Sequence, residues 1–250
     1  MFNDWKQKNT VEVGSSTVIT TDTHTERTSQ SFLSNIIFTE RPLDLKFSGR
    51  MAALRAAKQA LRKEIKRRVA ALSDEEKQRQ SLVLSRQLFR HPKYLSCKRI
   101  AVFLSMDDEV RTEEIIKDVF KWGKSCFIPR YESNGSRMDM LKLNSLQDME
   151  TLPLTSWNIT QPAEDDNSRE EALAAGGLDL ILMPGLGFDR LGRRLGRGKG
   201  FYDTYLERCI RHPKGKPYTI ALAFKEQLCQ EIPVDDNDVL IDEILYEDEE

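Results

Sequence analysis

The sequence predicts an α/β domain in three layers, with helices on both faces of a mainly parallel sheet. Three observations predict it. From residue 99 onward, short apolar runs with strand character alternate with stretches of helical period. The runs RIAVFLSM (99–106) and LDLILMPG (178–185) are apolar nearly throughout, as strands buried on both faces are. At 250 residues the chain is also long enough to close a full hydrophobic core.

Residues 1–50 read as a mostly disordered amino-terminal extension. The stretch 13–31 is rich in Ser and Thr and keeps no period, so it cannot bury enough apolar area to offset the entropy of ordering. FLSNIIF (32–38) is a short apolar island within it. A single folded domain is expected over 51–250, starting at MAALRAAKQALRKEIKRR.

Leu54, Ala57, Leu61, Ile65 and Val69 recur at three- and four-residue steps, which predicts an amphipathic helix over about 52–71. Ser73 to Glu76 has the form of a capping box and opens a second helix to about Phe89, before HPK at 91–93. A helix over 112–122 stops at Gly123. Strands 125–131 and 138–143 flank the turn signal Asn134–Gly135. SREEALAAGG (168–177) carries helix start and stop residues, a helix is expected over about 201–211, and 216–224 and 239–247 read as the last strands.

Bulk properties exclude several classes. Net charge is −2, so an anion site must be local rather than a basic surface. Cys97, Cys126, Cys209 and Cys229 have neither zinc nor dithiol spacing and read as small buried side chains in a reducing compartment. No run approaches the ~20 apolar residues of a membrane span, and the amino terminus lacks a signal pattern, so a cytoplasmic protein is expected. There is no GxSxG or HExxH motif; His24 lies in the extension, and His91 and His212 precede prolines in basic loops.

The chemistry concentrates in GRRLGRGKGFYDTYL (192–206), where four glycines and four cations fall within nine residues after a strand and before a helix. Bare backbone amides at a helix amino terminus suit an anion. The pattern is neither the P-loop nor the dinucleotide fingerprint, since Gly196, Gly198 and Gly200 alternate. A triphosphate there calls for Mg²⁺ shared with one or two carboxylates, for which Asp203 and an acid of DDND (235–238) are candidates; alone, DDND reads as a solvated turn. An active site with no histidine or thiol beside its glycine loop suits phosphoryl transfer.

Three stretches together carry a resemblance: MPGLGFDRLGRRLGRGKGFYDTYL (183–206), FLSMDDEVRTEEII (103–116) and AKQALR (57–62). They resemble the 5-formyltetrahydrofolate cyclo-ligase family, also called 5,10-methenyltetrahydrofolate synthetases, over essentially all of 51–250. The resemblance implies a cyclo-ligase catalytic domain that uses ATP and Mg²⁺ to convert 5-formyltetrahydrofolate into 5,10-methenyltetrahydrofolate, with ADP and phosphate released. It implies that Lys58, Arg62, Arg194, Leu195, Gly196, Arg197, Gly198, Lys199, Gly200, Phe201 and Tyr202 bind ATP. Leu104 and Glu109, with Arg197 to Phe201, would border the folate, and Arg197 and Lys199 would be catalytic. Asp203 and Asp238 would hold Mg²⁺. Phe201 is a departure, since many members of the family have Tyr there. Stacking survives that change, while a phenolic hydrogen bond does not. Tyr131 and Trp157 read as core aromatics.

Other readings stay open at this level. Similar α/β frames carry sugar-phosphate isomerases and CoA transferases, which need no ATP. A nucleic-acid role for the basic helix would require steep salt dependence, and no aromatics interleave with its cations. The expected partners are 5-formyltetrahydrofolate and ATP, without nucleic acid or membrane, for a monomer.

Overall fold

The computed structural model describes residues 42–157, 159–235 and 237–248. Expectations for 1–41, including the Ser/Thr-rich run and FLSNIIF, lie outside these residues. Helix α1 (Pro42–Ala70) begins upstream of Met51 and passes through it unbroken. Proline suits its first position, because the N–H it lacks would have no intrahelical acceptor. Helix α2 (Asp74–Phe89) starts as predicted: Ser73 Oγ accepts the Glu76 N–H at 3.2 Å, while the Glu76 carboxylate pairs with Arg79. His91 is not in a plain loop. Its Nδ1 accepts the Lys93 N–H and caps the short helix α3 (Pro92–Ser96).

The remaining elements are β1 (Arg99–Ala101), α4 (Glu113–Lys121), β2 (Ser125–Tyr131), β3 (Met138–Leu143), α5 (Leu146–Glu150) and β4 (Leu180–Met183). Then follow β5 (Gly187–Asp189), β6 (Arg194–Leu195), α6 (Phe201–Arg211), β7 (Tyr218–Leu222), β8 (Leu228–Cys229) and β9 (Glu243–Leu245). The main sheet has the order β3-β2-β1-β4-β7-β9, and only β3 runs antiparallel to its neighbour. The order reverses between β1 and β4, which makes their carboxyl ends the topological switch point.

Alternation along the strands divides the core in two. Ile100, Cys126, Ile128, Leu180, Leu182, Ile220 and Leu222 pack with Ile65 and Val69 of α1, Leu84 and Leu88 of α2, and Ile115 and Val119 of α4. Ala101, Phe127, Ile181, Met183 and Ala221 face the other way, against Tyr202, Tyr205, Leu206 and Cys209 of α6. Three layers result, as the sequence predicts. Cys97, Cys126 and Cys209 are buried and Cys229 half-buried, all as free thiols.

Three expectations are corrected. The segment 168–177 forms no helix. Its backbone instead pairs with β3, Lys142 N–H to Glu170 C=O and Ala172 N–H to Met140 C=O, both at 2.9 Å. Tertiary pairing of an otherwise open sheet edge overrides the local propensity. Strand β1 leaves the ladder after Ala101, although the apolar run continues to 106. Finally, the strand before the glycine loop does not lead straight into a helix. A second sheet, β6-β5-β8, lies between them and under α1. Gly187 permits this approach, since a Cβ there would fall 2.4 Å from Ile65 Cδ1.

Candidate active site

A cavity of about 960 Å³ opens at the switch point. That is at the top of the range of ~300–1,000 Å³ for small-molecule sites, in keeping with two ligands held together. Its walls are formed by residues of the segment after β1 (between Phe103 and Glu109), of the segment after β4 (between Pro184 and Gly200), of the first turns of α6 and of the inner face of α1, with Asp235, Asn237 and Asp238.

Helix α1 supplies three cations to the cavity, Arg55, Lys58 and Arg62, at successive turns. Arg62 Nε donates to Gly196 C=O at 2.8 Å and so holds the glycine loop against the helix. Lys58 Nζ lies 2.9 Å from Asp235 Oδ2 and 2.6 Å from Asp238 Oδ2. DDND is therefore no solvated turn, because two of its acids are salt-bridged in the cavity wall. Gly198 and Gly200 both have positive φ (105° and 72°), a region that costs other residues strain. Gly200 is also the N-cap of α6, so the first amides of that helix open on the cavity.

Arg194 stands in β6 rather than in a loop, with only 9% of its surface exposed. Its Nη2 donates to Asp203 Oδ2 at 2.8 Å, its guanidinium lies 5.4 Å from the Tyr202 ring centroid, and its buried Nε has no partner among the described residues. A buried donor of that kind leaves a place for a ligand oxygen. Leu195 is corrected: its side chain is buried in the core under α1 and does not line the cavity.

On the opposite wall, Glu109 is 8% exposed. Its Oε1 accepts from Arg197 Nη2 at 3.0 Å, and its Oε2 accepts the Met106 N–H at 3.1 Å. Burial pushes the Glu109 carboxyl above its ordinary value, and the Arg197 charge opposes that shift only in part. Arg197 also pairs with Asp108 at 2.5 Å. Leu104, in the segment where β1 has left the sheet, lines the same cavity.

The aromatic wall differs from expectation. Tyr131 and Trp157 line the cavity rather than filling the core, and Trp157 is 41% exposed. The Tyr131 and Phe201 rings lie 4.9 Å apart, and the Tyr131 and Tyr202 hydroxyls 3.5 Å apart. Burial raises both phenols, so they stay neutral and can donate. Lys199 Nζ reaches out over Trp157, 6.0 Å from its ring centroid.

Asp203 and Asp238 both line the cavity and are linked through the chain, since Val239 N–H donates to Asp203 Oδ1 at 3.3 Å. Each carboxylate already faces a cation, Arg194 and Lys58 respectively. Among the described residues, no three acidic, histidine or cysteine side chains converge as a self-contained metal site. Two carboxylates without a third suit a hard cation whose remaining ligands are phosphate oxygens and water. Sequence reasoning missed Arg55, Thr204 and Glu207 as lining residues. Arg55 is one turn before Lys58, and Glu207 one turn after Asp203, so helical spacing alone could have nominated those two.

Residues 54–247 match the model of the 5-formyltetrahydrofolate cyclo-ligase family. The chain is 61% identical over 193 residues to the mouse 5-formyltetrahydrofolate cyclo-ligase, covering 77% of this chain and 95% of that protein. It is 30% identical over 175 residues to the Escherichia coli K12 protein of the same name, covering 70% and 92%. Among solved structures, the 5,10-methenyltetrahydrofolate synthetase of Aquifex aeolicus superposes with a TM-score of 0.61 at 26% identity, over 76% of this chain and 89% of that one. The Mycoplasma pneumoniae synthetase gives 0.56 at 25% identity, over 75% and 96%. The glycine loop, the buried acid opposite it and the sheet that brings them together are thus found in a chain that belongs to the 5-formyltetrahydrofolate cyclo-ligase family.

Proposed function

We propose that the cavity holds ATP and 5-formyltetrahydrofolate together and passes the γ-phosphoryl group to the formyl oxygen. The chain is a cyclo-ligase by family, and its product is 5,10-methenyltetrahydrofolate. The observation that carries the residue-level reading is that one cavity joins six cations, Arg55, Lys58, Arg62, Arg194, Arg197 and Lys199, to the buried acid Glu109.

A new bond forms between the γ-phosphorus and the formyl oxygen as the bond to the ADP oxygen breaks. The lone pair of N10 then adds to the activated carbon. The C–O bond breaks, phosphate leaves, and N10 gives up its proton to water. An amide oxygen is a weak nucleophile, so alignment and charge stabilisation do most of the work. Lys58, Arg62 and the amides of 196–201 bind the phosphates, while Arg197 and Lys199 follow the charge as it moves. The Glu109 carboxylate accepts N–H groups of the pterin, Leu104 packs on its face, and Phe201 stacks with Tyr131 beside it. Asp203 and Asp238 would hold Mg²⁺, which supplies neutralisation of the phosphate oxygens.

In this reading the catalytic domain is 51–250 and the chain works as a monomer. Among the described residues no helix is long and apolar enough to cross a membrane. We place the reaction in the cytoplasm. The test is to mix the protein with 5-formyltetrahydrofolate, ATP and Mg²⁺ and follow the methenyl chromophore. Product that forms equally well without ATP would overturn the phosphorylation step.

A further inference from the structure

The division of labour above gives Asp235 no part, yet it is salt-bridged in the cavity wall. Asp235 Oδ2 accepts from Lys58 Nζ at 2.9 Å, and the same ammonium reaches Asp238 Oδ2 at 2.6 Å. The two acids are also tied to each other. Asp235 N–H donates to Asp238 Oδ2 at 2.8 Å, and Asp235 Oδ1 accepts the Asn237 N–H at 3.0 Å. The flexible lysine stem is therefore anchored on a braced turn, with its side chain only 12% exposed.

Phosphate and metal make competing demands on this cluster. A triphosphate calls for the ammonium, and its metal calls for the Asp238 carboxylate. With Asp238 as its only counterion, Lys58 would sit on the ligand that the metal needs. An ammonium has three donors, and Asp235 gives it a second fixed partner. Lys58 can then release Asp238, keep Asp235, and direct an N–H at phosphate. We infer that Asp235 is a positioning residue, which holds the Lys58 ammonium beside the phosphate site while leaving Asp238 to the metal. The inference rests on the proposed roles of Lys58 and Asp238.

The test is titration calorimetry on the full chain with a non-hydrolysable ATP analogue, in Mg²⁺ and in EDTA, for wild type, Asp235→Asn, Lys58→Met and the double variant. Asparagine keeps the Oδ1 that caps Asn237, so melting should stay near wild type. If it does not, Asp235→Ser repeats the measurement with a hydroxyl cap and no charge. Lys58→Met should weaken the analogue ~10–100-fold, the loss of one charge-assisted contact. Asp235→Asn should weaken it about tenfold with Lys58 present but less than about twofold with Met there. The Mg²⁺ concentration for half-saturation should rise in Asp235→Asn and fall back in the double variant, and Asp235→Glu should recover most of the affinity. Equal effects of Asp235→Asn in both backgrounds would overturn the inference alone. Wild-type affinity in Lys58→Met would remove the phosphate role of Lys58, and the inference with it.

Discussion

Arg197 Nη2 meets Glu109 Oε1 at 3.0 Å, joining the glycine loop to the segment after β1 across 88 residues of sequence. The pair places a cation of the glycine loop on the acid proposed to read the pterin. Burial raises the Glu109 pKa and Arg197 partly offsets it. The carboxylate is therefore lost as pH falls through a value above the ordinary carboxylate range. The kcat/KM for 5-formyltetrahydrofolate should show an acid limb there. In Arg197→Met, burial acts unopposed, so the limb should move to higher pH. In Glu109→Gln it should vanish, with KM for the folate up ~10–100-fold. A limb at the same pH in Arg197→Met would detach the pair from substrate binding.

Lys199 is exposed, with its ammonium over the Trp157 ring. Among the described residues nothing else leans on it. Lys199→Ala should lower kcat by about 10²–10³-fold, as removal of a transition-state charge partner does, without moving the melting temperature. Near-wild-type turnover would take the lysine out of catalysis.

Arg62 is bound to the loop it serves, through Gly196 C=O. Arg62→Ala loses both a phosphate contact and this brace. The expected result is an apparent KM for ATP about tenfold higher with a smaller change in kcat. Steady-state kinetics at saturating folate measures it, and an unchanged KM would reassign the helix.

Arg169 organises the segment that sequence reasoning took for a helix. It forks to Asp148 at 2.5 and 2.6 Å and reaches Asp166 at 2.6 Å, with only 11% of its side chain exposed. Arg169 is the first cause of the lowered Asp148 pKa. Asp166 is held down to about 2 by Ser168 first and by Arg169 second. Depressed carboxylates stabilise the fold above their unfolded pKa near 4 and lose that contribution as pH falls towards 2. Arg169→Met should cost about 3 kcal/mol at neutral pH, as breaking a largely buried pair does, and the gap from wild type should close on acidification. Urea unfolding at pH 7 and pH 3 distinguishes this from a pH-independent packing defect.

Helix α1 crosses the expected boundary at Met51, yet its cavity-lining residues begin at Arg55. A chain that starts at Met51 should therefore keep wild-type kcat and KM, with a modest loss of melting temperature from the shortened helix. Loss of activity would give residues 1–50 a catalytic role.

What was legible in the sequence was whatever neighbours along the chain decide. The Ser73 cap of α2, the helices α4 and α6, and the hairpin of β2 and β3 around Asn134–Gly135 all form where local chemistry puts them. The glycine loop announced an anion site for the same reason, since its amides and cations lie within one short run. Tertiary structure decided what those signals leave open. An unpaired edge of β3 drew residues 170–172 out of a helix, and the second sheet buried Leu195 while leaving Arg194 to face Asp203. Lys58 found its acids 177 and 180 positions away. Partners at such distances meet only once the sheet order sets which strand ends share a crevice. No local propensity encodes that, because it is the summed burial of two cores that selects the order.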